Sequence, residues 1–339
     1  PGRPDHPGRT GLGSRGGLRL TMAGPDMVLV LAWFAAIVGP VICAFMIRRL
    51  LRGRRIIFAR SFGAVVAIGW FLGVWAFLVE PATLTVRHVT IESASWRGPP
   101  LRIGVVSDTH VAAPHTDVAR IERLVERMNA ERPDIVMLLG DYAGGHEPAE
   151  VRAAAQQSEI LRGVEAFRGL ESPLGSHGVL GNHDSWYDDE AIAAALTRAG
   201  VSVLDNRAQR IARPGGDFWL AGLADMHSPR QPPTVSGTLS DVTDGAPVIV
   251  LTHWPDPFVD VPDRVALTLA GHTHCGQVKL PLLGRLVHAS AMSERWACGA
   301  YDEGGRKLFV TGGVGVSILP VRFRAPPEIV ILTLRAARP

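Results

Sequence analysis

The chain has 339 residues, 47% of them hydrophobic and 20% charged, so it is long enough for one large domain with appendages and is not disordered as a whole. The net charge is only +3 and the arginines are concentrated near the N-terminus, so no nucleic-acid partner is expected. The three cysteines form no CxxC pair, which excludes a cysteine-ligated zinc cluster.

The N-terminal part of the chain contains two long apolar runs. Residues 1–26 are rich in Gly, Pro and Arg without periodicity, which predicts disorder or translated sequence upstream of the true start. Residues 27–47 and 56–79 are each long and apolar enough to cross a bilayer as a helix. One such run could be a buried core helix or a signal sequence. Two in tandem predict a transmembrane hairpin over residues 27–80.

The connector between the two runs, residues 48–55, carries five arginines. Positively charged loops stay in the cytoplasm, so both ends of the hairpin should lie outside. We therefore expect a multi-pass protein of the inner (cell) membrane in which the chain after Glu80 is extracytoplasmic. The arginines of residues 1–26 argue for the opposite orientation, unless translation starts at Met22 or Met27.

From about residue 84 the sequence alternates between short apolar runs and helical patterns, which indicates a layered α/β domain over residues 84–335. Residues 117–130 place apolar side chains on one helical face, and residues 188–199 open with acidic residues and end before Gly200. The predicted strands are 101–106, 134–139, 178–180, 218–223, 248–251, 265–270, 308–310 and 329–334.

Five predicted strands are followed at once by residues that can bind metal. These residues are Asp108, His110, Asp141, Asn182, His183, Asp184, His253, His272 and His274. Ligands gather at the carboxyl ends of strands in open α/β sheets, so the loops there can bring these side chains together. A lone Asp-x-His or Gly-Asp is ordinary turn chemistry, and only the joint occurrence of the five segments indicates a site.

The residue types fit two adjacent divalent ions. Carboxylate, imidazole and amide ligands suit Mn²⁺, Fe or Zn²⁺. Asp141 has two carboxylate oxygens and can bridge both ions. Two metals about 3.5–4 Å apart can clamp a phosphoryl group and activate a hydroxide, so hydrolysis needs no serine or cysteine nucleophile.

The order D-x-H, G-D, G-N-H-D, H and G-H-x-H resembles the calcineurin-like metallophosphoesterase superfamily, and in particular its membrane-anchored bacterial branch. The resemblance covers residues 101–276 by motif and extends to about residue 335 by pattern. It implies a layered β-sandwich flanked by helices and a hydrolase of phosphoric esters. It also implies one metal on Asp108, His110 and His274, a second on Asn182, His253 and His272, and a bridging Asp141.

The same resemblance assigns roles to two further residues. His183 would stand beside the leaving-group oxygen and donate a proton or stabilise charge there. Asp184 would orient His183 through a hydrogen bond. Cys275 follows the last motif, where many relatives have glycine, and this small difference need not disturb the metals.

We therefore expect hydrolysis of phosphate mono- or diesters or pyrophosphates at a membrane surface, on a small molecule, a lipid or another envelope metabolite. One alternative is a membrane-tethered scaffold that keeps the fold without turnover, and another is a protein phosphatase. No motif ligand is missing, which favours the enzyme over the scaffold. The absence of long insertions around the motifs disfavours a protein phosphatase.

A few side chains keep two interpretations. Cys275 and Cys298 allow a disulfide in an oxidising compartment, but two unpaired side chains are the favoured interpretation. Trp254 and Trp296 could line a substrate groove or pack into the domain. Arg322 could face a phosphate, although such an arginine is more often solvated or paired at a surface.

Overall fold

The computed structural model describes residues 24–51, 56–230, 232–285 and 289–338. Helices α1 (Gly24–Leu51) and α2 (Ile56–Val74) occupy the two predicted apolar runs. Two segments are long and apolar enough to cross a membrane: Met27–Arg49 lies within α1, and Arg60–Ala82 begins in α2 and continues past its end. Little of either is buried within the chain. The predictions for residues 1–23 and for three of the connector arginines lie outside the described residues.

The end of α2 is bonded to the domain that follows it. After α2 the chain forms a π-helical turn, Trp75–Val79, and then a 3₁₀ turn, Glu80–Ala82. The buried Glu80 carboxylate accepts hydrogen bonds from Trp75 Nε1 and from the backbone N–H of Ala325, each 2.7 Å long. The backbone N–H of Arg322 donates to the carbonyl of Ala76 at 2.9 Å.

Two six-stranded sheets form the body of the domain. In spatial order the first contains β1 (Thr85–Ser93), β14 (Glu328–Ala336), β2 (Leu101–Val106), β3 (Ile135–Leu139), β4 (Ser176–Val179) and β5 (Val201–Val203). The second contains β12 (Gly299–Glu303), β13 (Arg306–Val310), β9 (Val265–Ala270), β8 (Val248–Leu251), β7 (Phe218–Gly222) and β6 (Arg207–Ile211). A separate hairpin pairs β10 (Lys279–Leu280) with β11 (Gly284–Arg285).

Parallel pairing dominates the centre of each sheet. Strands β2 to β5 run parallel to one another, and so do β7, β8, β9 and β13. Strand β14 is antiparallel to β2, and β6 and β12 are antiparallel strands at the two edges of the second sheet. Because parallel strands end at the same sheet edge, the loops after them share one side of the molecule.

The helices are α3 (Val118–Ala130), α4 (Ala154–Glu165), α5 (Asn182–Tyr187), α6 (Asp189–Arg198) and α7 (Val235–Ser240). The predicted helices at 117–130 and 188–199 are confirmed to within a residue at each end. Both begin at an aspartate whose carboxylate accepts a hydrogen bond from the first turn, Asp117 from the N–H of Arg120 and Asp188 from that of Ala191.

Strand β3 shows how the layers pack. Ile135, Met137 and Leu139 point into the space between the two sheets, while Val136 and Leu138 belong to the cluster formed with the outer helices. Both faces of the strand are buried, which explains its continuous apolar sequence. The predicted class, a layered β-sandwich flanked by helices, is confirmed.

Cys275 and Cys298 form a disulfide with their Cα atoms 4.9 Å apart. The favoured interpretation of two unpaired side chains is therefore wrong, because the chain segments after β9 and before β12 come together in the fold. The bridge ties the segment after His274 to the start of β12. Cys43, in α1, has a free thiol.

We expect Cys298→Ala to lower the free energy of unfolding by about 3 kcal/mol, because the bridge restricts a loop of this size in the unfolded chain. Urea denaturation of the full chain in detergent, followed by tryptophan fluorescence, measures the change. Cys43→Ala is the matched control and should keep the wild-type midpoint. A Cys298→Ala midpoint equal to that of the wild type would contradict the prediction.

Candidate metal centre

The loops after five strands converge at one edge of the sandwich. Strands β2, β3 and β4 supply loops from the first sheet, and β8 and β9 supply loops from the second. All nine side chains predicted from the sequence are buried at this edge: Asp108, His110, Asp141, Asn182, His183, Asp184, His253, His272 and His274. The sheets hold the loop ends rigidly, so the site is built on stiff elements.

Several of these residues have an unusual backbone conformation. Asp108, His110, Asp141, His272 and His274 all have positive φ, between 47° and 66°. Aspartate and histidine enter this left-handed region more readily than most residues, yet such strain costs about 1 kcal/mol or more per residue. Strain of this kind clusters at functional sites, where the surrounding structure enforces it.

The first group of potential ligands is Asp108, His110 and His274, whose ligating atoms lie within 4.8 Å of one another. The Nε2 atoms of His110 and His274 are 3.0 Å apart, and His274 Nε2 lies 3.5 Å from Asp108 Oδ1. The close approach of the loops requires Gly271, because a Cβ atom there would lie 2.0 Å from Ser107 Oγ.

The second group is Asp141, His253 and His272, again with ligating atoms within 4.8 Å. His253 Nε2 lies 3.2 Å from Asp141 Oδ2 and 3.2 Å from His272 Nδ1. Asn182 Oδ1 is buried and has no hydrogen-bond partner among the residues that the structure describes. A buried amide oxygen without a partner is costly, and a cation would satisfy it.

Asp141 belongs to the second group and also faces a residue of the first, His110. Its Oδ2 atom is 3.2 Å from His253 Nε2 and 3.7 Å from His110 Nε2. Its other oxygen, Oδ1, accepts a 2.9 Å hydrogen bond from the backbone N–H of His183. One carboxylate oxygen therefore faces the nitrogens of both groups, which is the placement that a shared ligand requires.

Burial sets the protonation of most of the imidazoles. It lowers the pKa values of His110 and His274 well below the usual range, and it lowers the pKa of His272 to about 3, helped by the charge of His253. Neutral imidazoles keep the lone pair that a metal ion needs.

His253 is the exception, and its raised pKa shows that this site favours positive charge. Burial alone would lower its pKa, but the carboxylates of Asp141 and Asp108 raise it to about 10. Burial also raises the pKa of Asp108 to about 6. The two buried carboxylates thus need positive charge beside them, and divalent cations would supply it. The donor set and its electrostatics fit metal ions.

Residues behind the ligands fix their orientation. His253 Nδ1 donates to the carbonyl of Leu139 at 2.7 Å. Trp254 stacks on the ring of His272 with centroids 3.5 Å apart, and its Nε1 donates to the buried Asp225 carboxylate at 2.7 Å. Asp225 was missed in the sequence, although it follows β7 closely and the rule applied to the other strand ends would have found it.

Trp296, which the sequence allowed either to line a substrate groove or to pack into the domain, lies away from the site. It is buried and packs edge-on against Phe258 under the second sheet, with centroids 5.1 Å apart. Trp254 therefore contacts a candidate ligand, whereas Trp296 is part of the domain core.

Arg322 is fully buried, so the expectation of a solvated arginine or one paired at a surface is wrong. Its guanidinium donates to the carbonyls of Gly312, Gly315 and Ala325, each at 2.9 Å, and its Nη2 atom lies 3.1 Å from His274 Nδ1. Burial lowers the pKa of His274 most. The charge of His110 lowers it further, and that of Arg322 follows. Arg322 thus helps to keep this candidate ligand neutral.

His183 stands at the edge of the cluster. Its Nδ1 atom donates to the carbonyl of Gly145 at 2.6 Å, which turns Nε2 toward the site, 3.9 Å from Asp141 Oδ2. The ring of His146 lies beside it with centroids 4.7 Å apart. His146 was not among the predicted site residues, although its position in the loop after Asp141 was an available signal.

The predicted hydrogen bond from His183 to Asp184 is wrong. Both oxygens of the fully buried Asp184 carboxylate accept from backbone N–H groups, at 2.8–2.9 Å. The donors are Asp141, Tyr142, Ala143 and Gly181. Asp184 therefore shapes the loop that carries Asp141, and the Gly145 carbonyl orients His183.

Comparison with known sequences gives consistent matches. The family model described as calcineurin-like phosphoesterase matches residues 101–276. An uncharacterized metallophosphoesterase of Bacillus subtilis (strain 168), YkuE, is 28% identical over 82% of this chain and 94% of its own length. The phosphodiesterase YaeI of Escherichia coli (strain K12) is 30% identical over 69% of this chain and 82% of its own length.

Two further matches cover only part of the other protein. A transmembrane protein with metallophosphoesterase domain from Danio rerio is 27% identical over 70% of this chain and 54% of its own length. Among solved structures, the 5'-nucleotidase precursor of Thermus thermophilus has a TM-score of 0.42 and 14% identity, over 69% of this chain and 55% of that one.

We expect Asp184→Asn to lower the free energy of unfolding by about 3 kcal/mol, because an amide nitrogen cannot accept and leaves buried backbone N–H groups unpaired. Urea denaturation in detergent measures the change. Asp241→Asn, at an exposed position, is the control and should keep the wild-type midpoint. Equal midpoints for Asp184→Asn and the wild type would show that the four hydrogen bonds do not hold the loop.

Proposed function

Since the chain belongs to the calcineurin-like phosphoesterase family and is a hydrolase of phosphoric esters, we propose that it cleaves a phosphoester with two divalent cations bound at the buried centre. The observation that carries the proposal is the position of Asp141. One of its oxygens faces His110 and His253, which belong to two separate groups of potential ligands.

The proposed ligand sets follow the two groups. One cation is assigned to Asp108, His110 and His274, the second to Asn182, His253 and His272, and Asp141 is shared. The unpaired oxygen of Asn182 supports its inclusion. The donors suit Mn²⁺, Fe or Zn²⁺. When bound, the ions would supply Lewis-acid activation of water and neutralise charge on the phosphoryl oxygens.

His183 is proposed as the proton donor to the leaving oxygen. The Gly145 carbonyl accepts from Nδ1, so Nε2 is the atom that faces the substrate. General acid catalysis of this kind contributes about 10²–10⁴ in rate. The rings of His146 and Trp186 flank His183 and shield that side of its ring from water, with centroids 4.7 Å and 4.8 Å away.

We place the catalytic domain on the outer side of a cell membrane, anchored by α1 and α2. The two helices have membrane-spanning length, and basic residues end α1 and continue into the connector. The disulfide between Cys275 and Cys298 supports an oxidising compartment. The Danio rerio relative is described as a transmembrane protein, which supports a membrane anchor.

We expect the wild type to hydrolyse bis(p-nitrophenyl) phosphate in the presence of Mn²⁺. Asp141→Asn should lose both metal and activity, whereas His183→Asn should keep its metal and lose about 10²-fold or more in kcat. Metal content by mass spectrometry and steady-state kinetics measure the two effects, with Asp241→Asn as the control. An Asp141→Asn protein that still binds two cations would refute the shared-ligand assignment.

The orientation has its own test. Proteinase K added to spheroplasts that express the full chain should remove the catalytic domain, because an outward domain is exposed to the protease. Permeabilised spheroplasts are the positive control, and a cytoplasmic protein detected in the same samples shows that the membrane is intact. Protection of the domain until permeabilisation would contradict the proposed orientation.

A further inference from the structure

Among the described residues outside the two apolar helices, four large aliphatic side chains lie exposed in two segments near the candidate centre. We call them the apolar rim: Leu282, Leu283, Ile318 and Leu319. Two form the tip of the β10–β11 hairpin and two lie in the loop after β13. Clusters of exposed apolar side chains mark surfaces that contact another apolar phase.

The two halves of the rim belong to one surface. Lys279 at the base of the hairpin donates its backbone N–H to the carbonyl of Phe323, at 2.9 Å. The side-chain oxygen of Gln277 accepts from the backbone N–H of Ser317 at 2.6 Å, next to Ile318. These hydrogen bonds fix the hairpin tip and the loop in relation to each other.

The rim stands beside the end of the second apolar helix. Arg322, bonded to the carbonyl of Ala76, follows Leu319 by three residues, a span of at most about 10 Å. Ala76 lies inside the candidate span Arg60–Ala82. The rim therefore lies close to the end of this candidate span.

The backbone gives an independent indication. Leu282 and Ile318 have φ values of +68° and +64°, a conformation that is costly for an aliphatic residue and most of all for a β-branched one. Their side chains gain little burial within the chain in return. Insertion into a bilayer would bury them, and the exposed Lys279 and Arg324 beside the rim suit anionic headgroups.

A groove connects the rim to the candidate centre. It is lined by Ala112, Pro114, His183, Ser317, Ile318 and Leu319, among others. Ser317 Oγ lies 3.5 Å from His183 Nε2, so the groove begins at the proposed proton donor. It ends at two residues of the rim.

We infer that the rim inserts into the bilayer that holds helices α1 and α2. We also infer that the substrate is an amphiphilic phosphoester drawn from this bilayer. The groove binds the apolar part of the substrate that adjoins its phosphate group. Water adds across the P–O bond, so that its oxygen joins phosphorus and the ester oxygen leaves with a proton. The inference rests on the proposed function and names its substrate class.

The test uses the full chain reconstituted into vesicles of phosphatidylcholine with a minor fraction of phosphatidylglycerol. Two probes are compared, bis(p-nitrophenyl) phosphate in solution and phosphatidyl-p-nitrophenol in the vesicle, which yields phosphatidic acid and p-nitrophenol. The variant is Leu282→Asn/Ile318→Asn, because asparagine tolerates positive φ and the fold should be kept. Val259→Asn, at an exposed apolar position outside the rim, is the matched control.

We expect the double variant to lower the ratio of vesicle to solution activity by about tenfold or more, and the control to leave it unchanged. An unchanged ratio in the double variant, with the soluble probe still hydrolysed, overturns the inference and leaves the proposed function standing. A wild type that hydrolyses neither probe contradicts the proposed function, and the inference falls with it.

A second measurement does not depend on activity. Ile318→Cys in a Cys43→Ala background is labelled with an environment-sensitive fluorophore, and brominated lipids are added to the vesicles. Quenching at residue 318 well above that at a labelled Val259→Cys control supports insertion of the rim. Equal quenching at the two positions overturns it.

Discussion

Two carboxylates, Asp108 and Asp141, are buried together at the edge of the sandwich, and the rest of the site is arranged around their charge. Burial of such charge is costly unless positive charge lies beside it. Burial lowers the pKa values of His110, His272 and His274, whereas the two carboxylates raise the pKa of His253. Hydrogen bonds to the backbone N–H groups of Asp141 and His272 help to hold the strained loops in place.

The central strands could be predicted because both of their faces are buried. Strands such as β3 and β9 are continuous apolar runs that indicate their structure directly. Strand β1 was missed because it is half exposed and alternates apolar with polar residues, and β6 and β12 are polar edge strands of the same kind. Edge strands carry a weaker apolar signal because solvent covers part of them.

The candidate ligands could be predicted because each directly follows a strand, so that sequence position alone placed them at one sheet edge. Contacts between distant segments could not be predicted in this way. Arg322 reaches His274 across 48 residues, and Asp184 reaches the N–H of Asp141 across 43. The disulfide could not be predicted for the same reason, since only the folded chain brings Cys275 and Cys298 together.

The hydrogen bonds that join Ala76 and Glu80 to the segment from Arg322 to Ala325 make the end of the anchor part of the catalytic domain. With the proposed membrane anchor, the domain cannot swing on a loose tether, and its centre keeps a fixed height and tilt above the lipid. Encounters with the proposed lipid-borne substrate would then occur by lateral diffusion within a plane. Turnover would follow the number of substrate molecules per unit of membrane area rather than their concentration in the surrounding volume.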